Sequence, residues 1–171
     1  MIIWIASYPK SGNTWVRSFL ASYYFSENGI FTVEDLYKIE DYPNKQFFPG
    51  INIKKWEIYK HWEESQKRIK KNNKIKFLKT HNSLINLRGV DFTQPKYTLG
   101  IIYIIRDPRD IVISLSHFAG GSIDRSIHEL LNSQYIMTTL SFISYLENIS
   151  IPYFSHDSVQ LITSWVPEGR K

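Results

Sequence analysis

Three short apolar segments constrain the fold of this chain more than any other feature. They cover residues 2–6, 75–78 and 98–105. The first is a continuous apolar run, which is typical of a strand buried on both faces of a sheet, and the other two are predicted to be short strands as well. Because segments of helical periodicity separate the three runs, the sequence predicts an α/β fold with a parallel sheet flanked by helices.

The helices are predicted from apolar residues that recur every three or four positions. The clearest pattern covers residues 14–25, with Asn13 or Thr14 as the N-cap. Its apolar residues are Val16, Phe19, Leu20, Tyr23 and Tyr24. Further helices are expected at residues 54–71, 110–118 with Asp110 as a capping residue, 124–147, and in a short segment capped by Thr32 with Asp35.

Length and composition restrict the class of protein. A chain of 171 residues is expected to form a single domain, residues 1–171, and its formal charge of +5 favours anionic partners. The absence of cysteine excludes a disulfide framework, a thiol nucleophile and a Cys-ligated metal. No apolar run reaches the ~18 residues of a membrane span, and residues 1–6 lack the basic leader of a signal peptide, so we expect a cytoplasmic protein.

Chemistry-bearing residues follow each predicted strand, and ligands bind at that edge of open parallel sheets. The first group is Tyr8-Pro9-Lys10-Ser11-Gly12-Asn13-Thr14-Trp15, between strand and helix. A loop that enters a helix N-terminus offers free N–H groups to a phosphate, and Gly12 allows a close approach of the backbone. The loop is not a Walker A motif, because Lys10 precedes Gly12 and no glycine lies four residues before Lys10.

The other two groups supply a base and a phosphate-binding arginine. Lys79-Thr80-His81 follows the second strand, and a histidine there is suited to accept a proton near neutral pH, although a lone histidine is more often structural. Arg106 directly follows the third strand and is suited to a bidentate contact with phosphate. For that segment alone, an equally good interpretation is a set of surface ion pairs among Arg106, Asp107, Arg109 and Asp110.

Together, the three segments closely resemble the cytosolic-type sulfotransferase family, which uses 3′-phosphoadenosine 5′-phosphosulfate (PAPS) as sulfuryl donor. Residues 8–15 resemble that family's 5′-phosphosulfate loop, YPKSGTTW, with Asn13 in place of one threonine. Residues 79–81 resemble its catalytic-histidine segment, and residues 106–118 resemble its 3′-phosphate segment. Ser164-Trp165 matches a weaker downstream signature.

The resemblance implies a role for each matching residue. Lys10 would stabilise the leaving phosphate, His81 would be the general base, and Lys79 would be a second cation at the sulfuryl group. The 5′-phosphate would be held by Ser11, Gly12, Asn13 and Thr14, the adenine by Trp15, and the 3′-phosphate by Arg106 and Ser114. The acceptor would be a hydroxyl or amine of a small molecule, carbohydrate or lipid, no metal would be needed, and the fold would be of the P-loop nucleotide-kinase type.

The resemblance is incomplete at the C-terminus, where the family normally continues for roughly another hundred residues. We therefore interpret residues 1–171 as a shortened member, or as one whose site is completed by a partner chain. The alternatives are a catalytically inactive PAPS-binding remnant and a P-loop kinase in which Asp107 holds Mg²⁺. Nucleic-acid binding through residues 67–76 is not expected, because a solvated helix face explains those lysines better.

The sequence leaves the acceptor pocket open. Seven aromatic residues suit either an apolar pocket or an ordinary core. They are Trp4, Tyr8, Phe47, Phe48, Trp56, Tyr59 and Trp62.

Overall fold

The computed structural model describes residues 1–50 and 55–131, which form a parallel sheet, a short hairpin and surrounding helices. The strands are β1 (Ile2–Ser7), β2 (Glu40–Asp41), β3 (Lys76–Thr80), β4 (Asn86–Leu87), β5 (Val90–Asp91) and β6 (Thr98–Ile104). The helices are α1 (Asn13–Phe25), α2 (Val33–Leu36), α3 (Trp62–Lys71), α4 (Pro108–Ala119) and α5 (Ile123–Leu131), with 3-10 helices at Lys45–Phe47 and Lys55–His61.

The main sheet confirms the predicted α/β fold with parallel strands. Its spatial order is β2–β3–β1–β6, and every neighbouring pair is parallel. Ala6 is in register with Thr80, and Ser7 is in register with Ile104. The C-terminal ends of β1, β3 and β6 therefore meet at one edge of the sheet, where each is followed by a segment singled out in the sequence.

The main hydrophobic core is built largely from aromatic side chains. Trp4, Tyr42, Trp62 and Phe92 are fully buried, and the ring of Phe92 lies 5.2 Å from that of Trp4 and 5.1 Å from that of Trp62. Burying each such ring stabilises the fold by about 1.5–3 kcal/mol. Of the seven aromatics with two possible roles, five belong to this core: Trp4, Phe47, Phe48, Tyr59 and Trp62. Tyr8 packs in a second cluster with Ile111, and the side chain of Trp56 lies outside the described residues.

The apolar residues predicted on α1 pack only in part, because Val16 and Leu20 lie partly buried against the core cluster of Ile5, Ala21 and Ile39. Phe19 and Tyr23 are 65% and 74% exposed, whereas Asn13, Arg17 and Ala21 are the buried residues of this helix. The helix also turns polar residues inward, because Asn13 and Arg17 bond to backbone oxygens of other segments. Apolar spacing therefore identified the helix and part of the face that packs, and it missed the buried polar residues.

Three other helix boundaries differ from the predictions. Residues 55–61 form a 3-10 helix before α3, so the continuous helix predicted for residues 54–71 was wrong in its first half. Helix α4 begins at Pro108 and is capped by Asp107, which accepts a hydrogen bond from the Arg109 N–H, so the cap assigned to Asp110 was also wrong. Helix α5 covers the start of the helix predicted at 124–147, and the rest of that range lies outside the described residues.

Leu78→Ala is expected to destabilise the protein by about 2–5 kcal/mol, because it leaves a cavity in the core. Leu78 is fully buried in β3, in register with Trp4 on β1 and Glu40 on β2. Urea denaturation measures the change, and Leu99→Ala on β6, which is 53% exposed, is the matched control. A loss of unfolding free energy no larger than that of Leu99→Ala would contradict the burial of Leu78 in the core.

Candidate active site

The loop between β1 and α1 has a backbone suited to anions. Lys10 and Gly12 have φ angles of 67° and 97°, and Gly12 is the N-cap of α1 without a side-chain cap. The first N–H groups of a helix have no intrahelical acceptor, and with the helix dipole they favour a negative ligand. A side chain at position 12 would meet no atom within 4 Å, so it is the φ angle that favours glycine there.

Two buried polar atoms of this loop have no hydrogen-bond partner. They are the hydroxyl Oγ of Ser11 and the amide Oδ1 of Asn13, whose residues are 6% and 4% exposed. An unpaired buried hydroxyl is destabilising unless a ligand supplies its partner. The Ser11 hydroxyl is therefore free to bond a polar group of a ligand or a water molecule in this loop.

Neither Asn13 nor Thr14 caps α1, because Gly12 is its N-cap, so both predicted N-caps were wrong. The side chain of Asn13 bonds to β1 instead. Its amide Nδ2 donates to the carbonyl oxygen of Ile5 at 3.1 Å and to the hydroxyl of Ser7 at 3.0 Å. These bonds attach the start of α1 to the end of β1 and fix the loop between them. Thr14 and Trp15 are exposed at the start of α1, with Trp15 79% accessible.

The third segment contacts the loop directly. The Arg106 guanidinium donates to the carbonyl oxygen of Lys10 at 3.0 Å, and its Nε lies 3.8 Å from Asp110. The Lys10 ammonium lies 4.3 Å from the centre of the Phe118 ring, near the end of α4. A small cavity between the two segments is lined by Ser11 and Arg106 among others. The structure therefore brings Lys10, Ser11 and Arg106 together.

Ser114 is placed on α4, where it is partly buried. No side-chain hydrogen bond joins it to Arg106 in the part of the chain that the structure describes. Asp107 is occupied as a helix cap and as the partner of Arg109, which holds the pKa of the Asp107 carboxyl at about 2. This arrangement gives no support to Asp107 as a Mg²⁺ ligand.

His81 is held by the end of β1. Its Nδ1 lies 2.8 Å from the backbone oxygen of Ser7 and 3.2 Å from the Ser7 hydroxyl. A carbonyl oxygen can only accept, so Nδ1 carries the proton in the neutral ring and the lone pair is on Nε2. Burial lowers the pKa of His81 well below 6.5, and the nearby Lys79 charge lowers it further. The ring is therefore neutral at physiological pH and able to take a proton at Nε2.

Lys79 lies beside it in an ionic network. Its ammonium is 3.4 Å from Asp41 on β2, and Asp41 is also 3.1 Å from the guanidinium of Arg17 on α1. Burial lowers the pKa of Lys79 from its usual value of 10.5, while the charge of Asp41 opposes that shift. The site thus places a neutral base next to a desolvated cation.

The sequence reasoning missed three residues of this arrangement. The first predicted strand ended at residue 6, whereas Ser7 is the last residue of β1 and the hydrogen-bond partner of His81. Arg17 could have been identified, because it lies four positions after Asn13 and therefore on the same side of a helix. Asp41 had no signal, because β2 has only two residues and no periodicity.

Comparison with known protein families identifies the family of the chain. A family model described as a sulfotransferase domain matches residues 2–156, which include residues 8–15, 79–81 and 106–118. Ser164-Trp165 lies beyond that match and outside the described residues. No curated protein matches the chain at a significant level. Within residues 1–50 and 55–131 there is no cluster of metal-ligating side chains, nor a helix long and apolar enough to cross a membrane. Since the match covers most of the 171 residues, the chain belongs to the sulfotransferase domain family, whose reaction is the transfer of a sulfuryl group.

Proposed function

We propose that this chain, as a single domain of residues 1–171, transfers the sulfuryl group of PAPS to a hydroxyl or amine of a small molecule, carbohydrate or lipid. The observation that carries the proposal is the hydrogen bond from His81 Nδ1 to the Ser7 carbonyl oxygen, at 2.8 Å. It fixes the ring in the tautomer of a general base, at the same sheet edge as the anion-binding loop.

The residues of the loop suit the donor. PAPS supplies the sulfuryl group on a phosphate leaving group, and also carries a 3′-phosphate. In the proposal, the N–H groups at Gly12 and the unpaired Ser11 hydroxyl hold the 5′-phosphate, together with Asn13 and Thr14. Trp15 stacks on the adenine, for which its exposed ring is available.

Arg106 and Ser114 bind the 3′-phosphate in this proposal. Arg106 is well placed, because it already bonds the loop through the carbonyl of Lys10. A planar guanidinium can use one N–H for that carbonyl and direct others to a phosphate. Ser114 adds a hydroxyl from α4, the helix that Asp107 caps.

Three side chains act on the reacting groups, and each has a different role. His81 takes the acceptor proton at Nε2, which increases the nucleophilicity of the acceptor oxygen or nitrogen. Lys10 neutralises the negative charge that accumulates on the leaving phosphate oxygen, and Lys79 does so at the transferring group. The proton that moves in this scheme goes from the acceptor to His81 Nε2.

Calorimetric titration with 3′-phosphoadenosine 5′-phosphate, the product of the donor, tests the proposal. Binding with a Kd of about 1 μM, or about −8 kcal/mol, is expected. Adenosine 5′-phosphate, which lacks the 3′-phosphate, should bind at least tenfold more weakly. ATP with Mg²⁺ binding more tightly than the product would support the P-loop kinase instead.

An assay of sulfuryl transfer distinguishes an active enzyme from an inactive remnant that only binds the donor. If the chain binds the donor product but transfers no sulfuryl group from PAPS to any of a panel of phenols, sterols and sugars, it is a binding remnant. If the folded chain binds neither the product nor PAPS, the active-enzyme hypothesis and the binding-remnant hypothesis are both wrong.

A further inference from the structure

We propose that Asp41 is a positioning residue that holds the Lys79 ammonium in place and in its charged form at the catalytic edge of the sheet. This role rests on the function proposed above. It is assigned from the ionic network of Arg17, Asp41 and Lys79, which spans three elements: α1, β2 and β3.

The backbone places Asp41 and Lys79 side by side. They are register partners on the parallel strands β2 and β3, and their side chains therefore leave the sheet on the same face. The Tyr42 N–H donates to the Lys79 carbonyl oxygen at 2.7 Å, which fixes the two strands at this point. Asp41 is thus oriented toward Lys79 by pairing of the strands and not by a flexible loop.

The charges explain why a carboxylate is needed there. The side chains of Arg17 and Lys79 are only 9% and 14% exposed, whereas that of Asp41 is 40% exposed. Two largely buried cations with no carboxylate between them would repel each other, and the lysine would lose its proton first. Arg17 is anchored independently, because it donates to the backbone oxygen of Ile39 at 2.5 Å. Asp41 therefore compensates the charge of Arg17 and leaves Lys79 protonated.

The groups that face Lys79 come from three directions. Asp41 raises the pKa of Lys79 and lies on β2, while Arg17 lowers it and lies on α1. His81 follows β3 and is neutral at physiological pH, so it contributes no charge there. Removing the Asp41 charge thus leaves burial and Arg17 acting on Lys79, and both favour the neutral amine.

Asp41→Asn is the test, with Asp41→Glu as the conservative variant and Glu40→Gln as the matched control. Glu40 is the neighbouring residue of β2 but pairs with Lys76 instead of Lys79. In the wild type, kcat should fall at high pH as Lys79 loses its proton, with a midpoint below 10.5 because the Lys79 pKa is lowered. It should also fall at low pH as His81 gains a proton, with a midpoint below 6.5 because the His81 pKa is lowered. Asp41→Asn should shift the alkaline fall to lower pH and leave the acidic fall in place. It should also lower kcat at pH 7.5 by about tenfold or more, with the Kd for the donor product within about twofold.

A direct measurement separates this inference from the proposed function. The titration of Lys79 can be followed by ¹³C NMR of its ε-carbon in the whole chain, which needs no turnover. Asp41→Asn should lower the Lys79 pKa, Asp41→Glu should restore it, and Glu40→Gln should leave it unchanged. If the wild type is inactive but the Lys79 pKa responds in this way, the proposed function fails and the charge-holding role of Asp41 stands.

An unchanged Lys79 pKa in a folded Asp41→Asn protein would overturn the inference. So would an alkaline fall of kcat that occurs at the same pH in Asp41→Asn as in the wild type. If Asp41→Asn does not fold, Asp41→Ser carries the same expectation with a smaller side chain. Lys79→Arg tests the assignment of the alkaline fall to Lys79, because a guanidinium stays charged and the fall should disappear.

Discussion

Replacement of His81 by asparagine is expected to lower kcat for sulfuryl transfer by about 10³-fold, within the usual range for loss of a general base. The asparagine amide can take the position of the imidazole Nδ1–H and donate to the Ser7 carbonyl oxygen, to which His81 bonds at 2.8 Å. It has no atom equivalent to Nε2. The variant therefore keeps the structural contact of the histidine and loses only its proton acceptor.

The donor site should be unaffected, because no phosphate-binding role is assigned to His81. Calorimetry with 3′-phosphoadenosine 5′-phosphate should give a Kd within about twofold of the wild type. His128→Asn is the control, since His128 is exposed on α5 and has no part in the site. A variant that retains more than about a tenth of the wild-type kcat would show that another group takes the proton.

Ser7 shows how much of this site was readable from the sequence. The strand, the loop and the histidine were predicted, because apolar runs and turn residues are local signals. That Ser7 and His81 meet depends on the parallel pairing of β1 with β3, which joins residues 74 positions apart. No local pattern encodes such a pairing, although the rule that parallel strands end at one edge predicted the neighbourhood correctly.

Asp41 and α1 mark the limit of sequence reasoning. A two-residue strand has too few residues for periodicity, so nothing placed Asp41 opposite Lys79 before the sheet was known. On α1 the apolar pattern predicted only part of the packing face, because the polar residues Asn13 and Arg17 are also buried and bond to backbone oxygens of other segments. Burial of a polar residue depends on whether its partners are present, and these partners lie on other elements.

Arg106→Ala is expected to weaken binding of 3′-phosphoadenosine 5′-phosphate by about 10²-fold. The loss of a charge-assisted contact to phosphate is worth about 2–3 kcal/mol, and each 1.4 kcal/mol is a factor of ten in Kd. The variant also removes the hydrogen bond to the Lys10 carbonyl oxygen, at 3.0 Å. That bond stabilises a loop in which Lys10 has a φ angle of 67°, which is unfavourable for a residue with a side chain.

The two contributions of Arg106 can be separated with a second ligand. Adenosine 5′-phosphate lacks the 3′-phosphate, so its binding should weaken in Arg106→Ala only through the loosened loop, by a smaller factor. Arg109→Ala is the matched control, because Arg109 is exposed and pairs with Asp107, which caps α4. Equal losses for both nucleotides would mean that Arg106 supports the loop without contacting the 3′-phosphate. No loss for either would remove Arg106 from the donor site, and the resemblance of residues 106–118 to a 3′-phosphate segment would then carry no function in this chain.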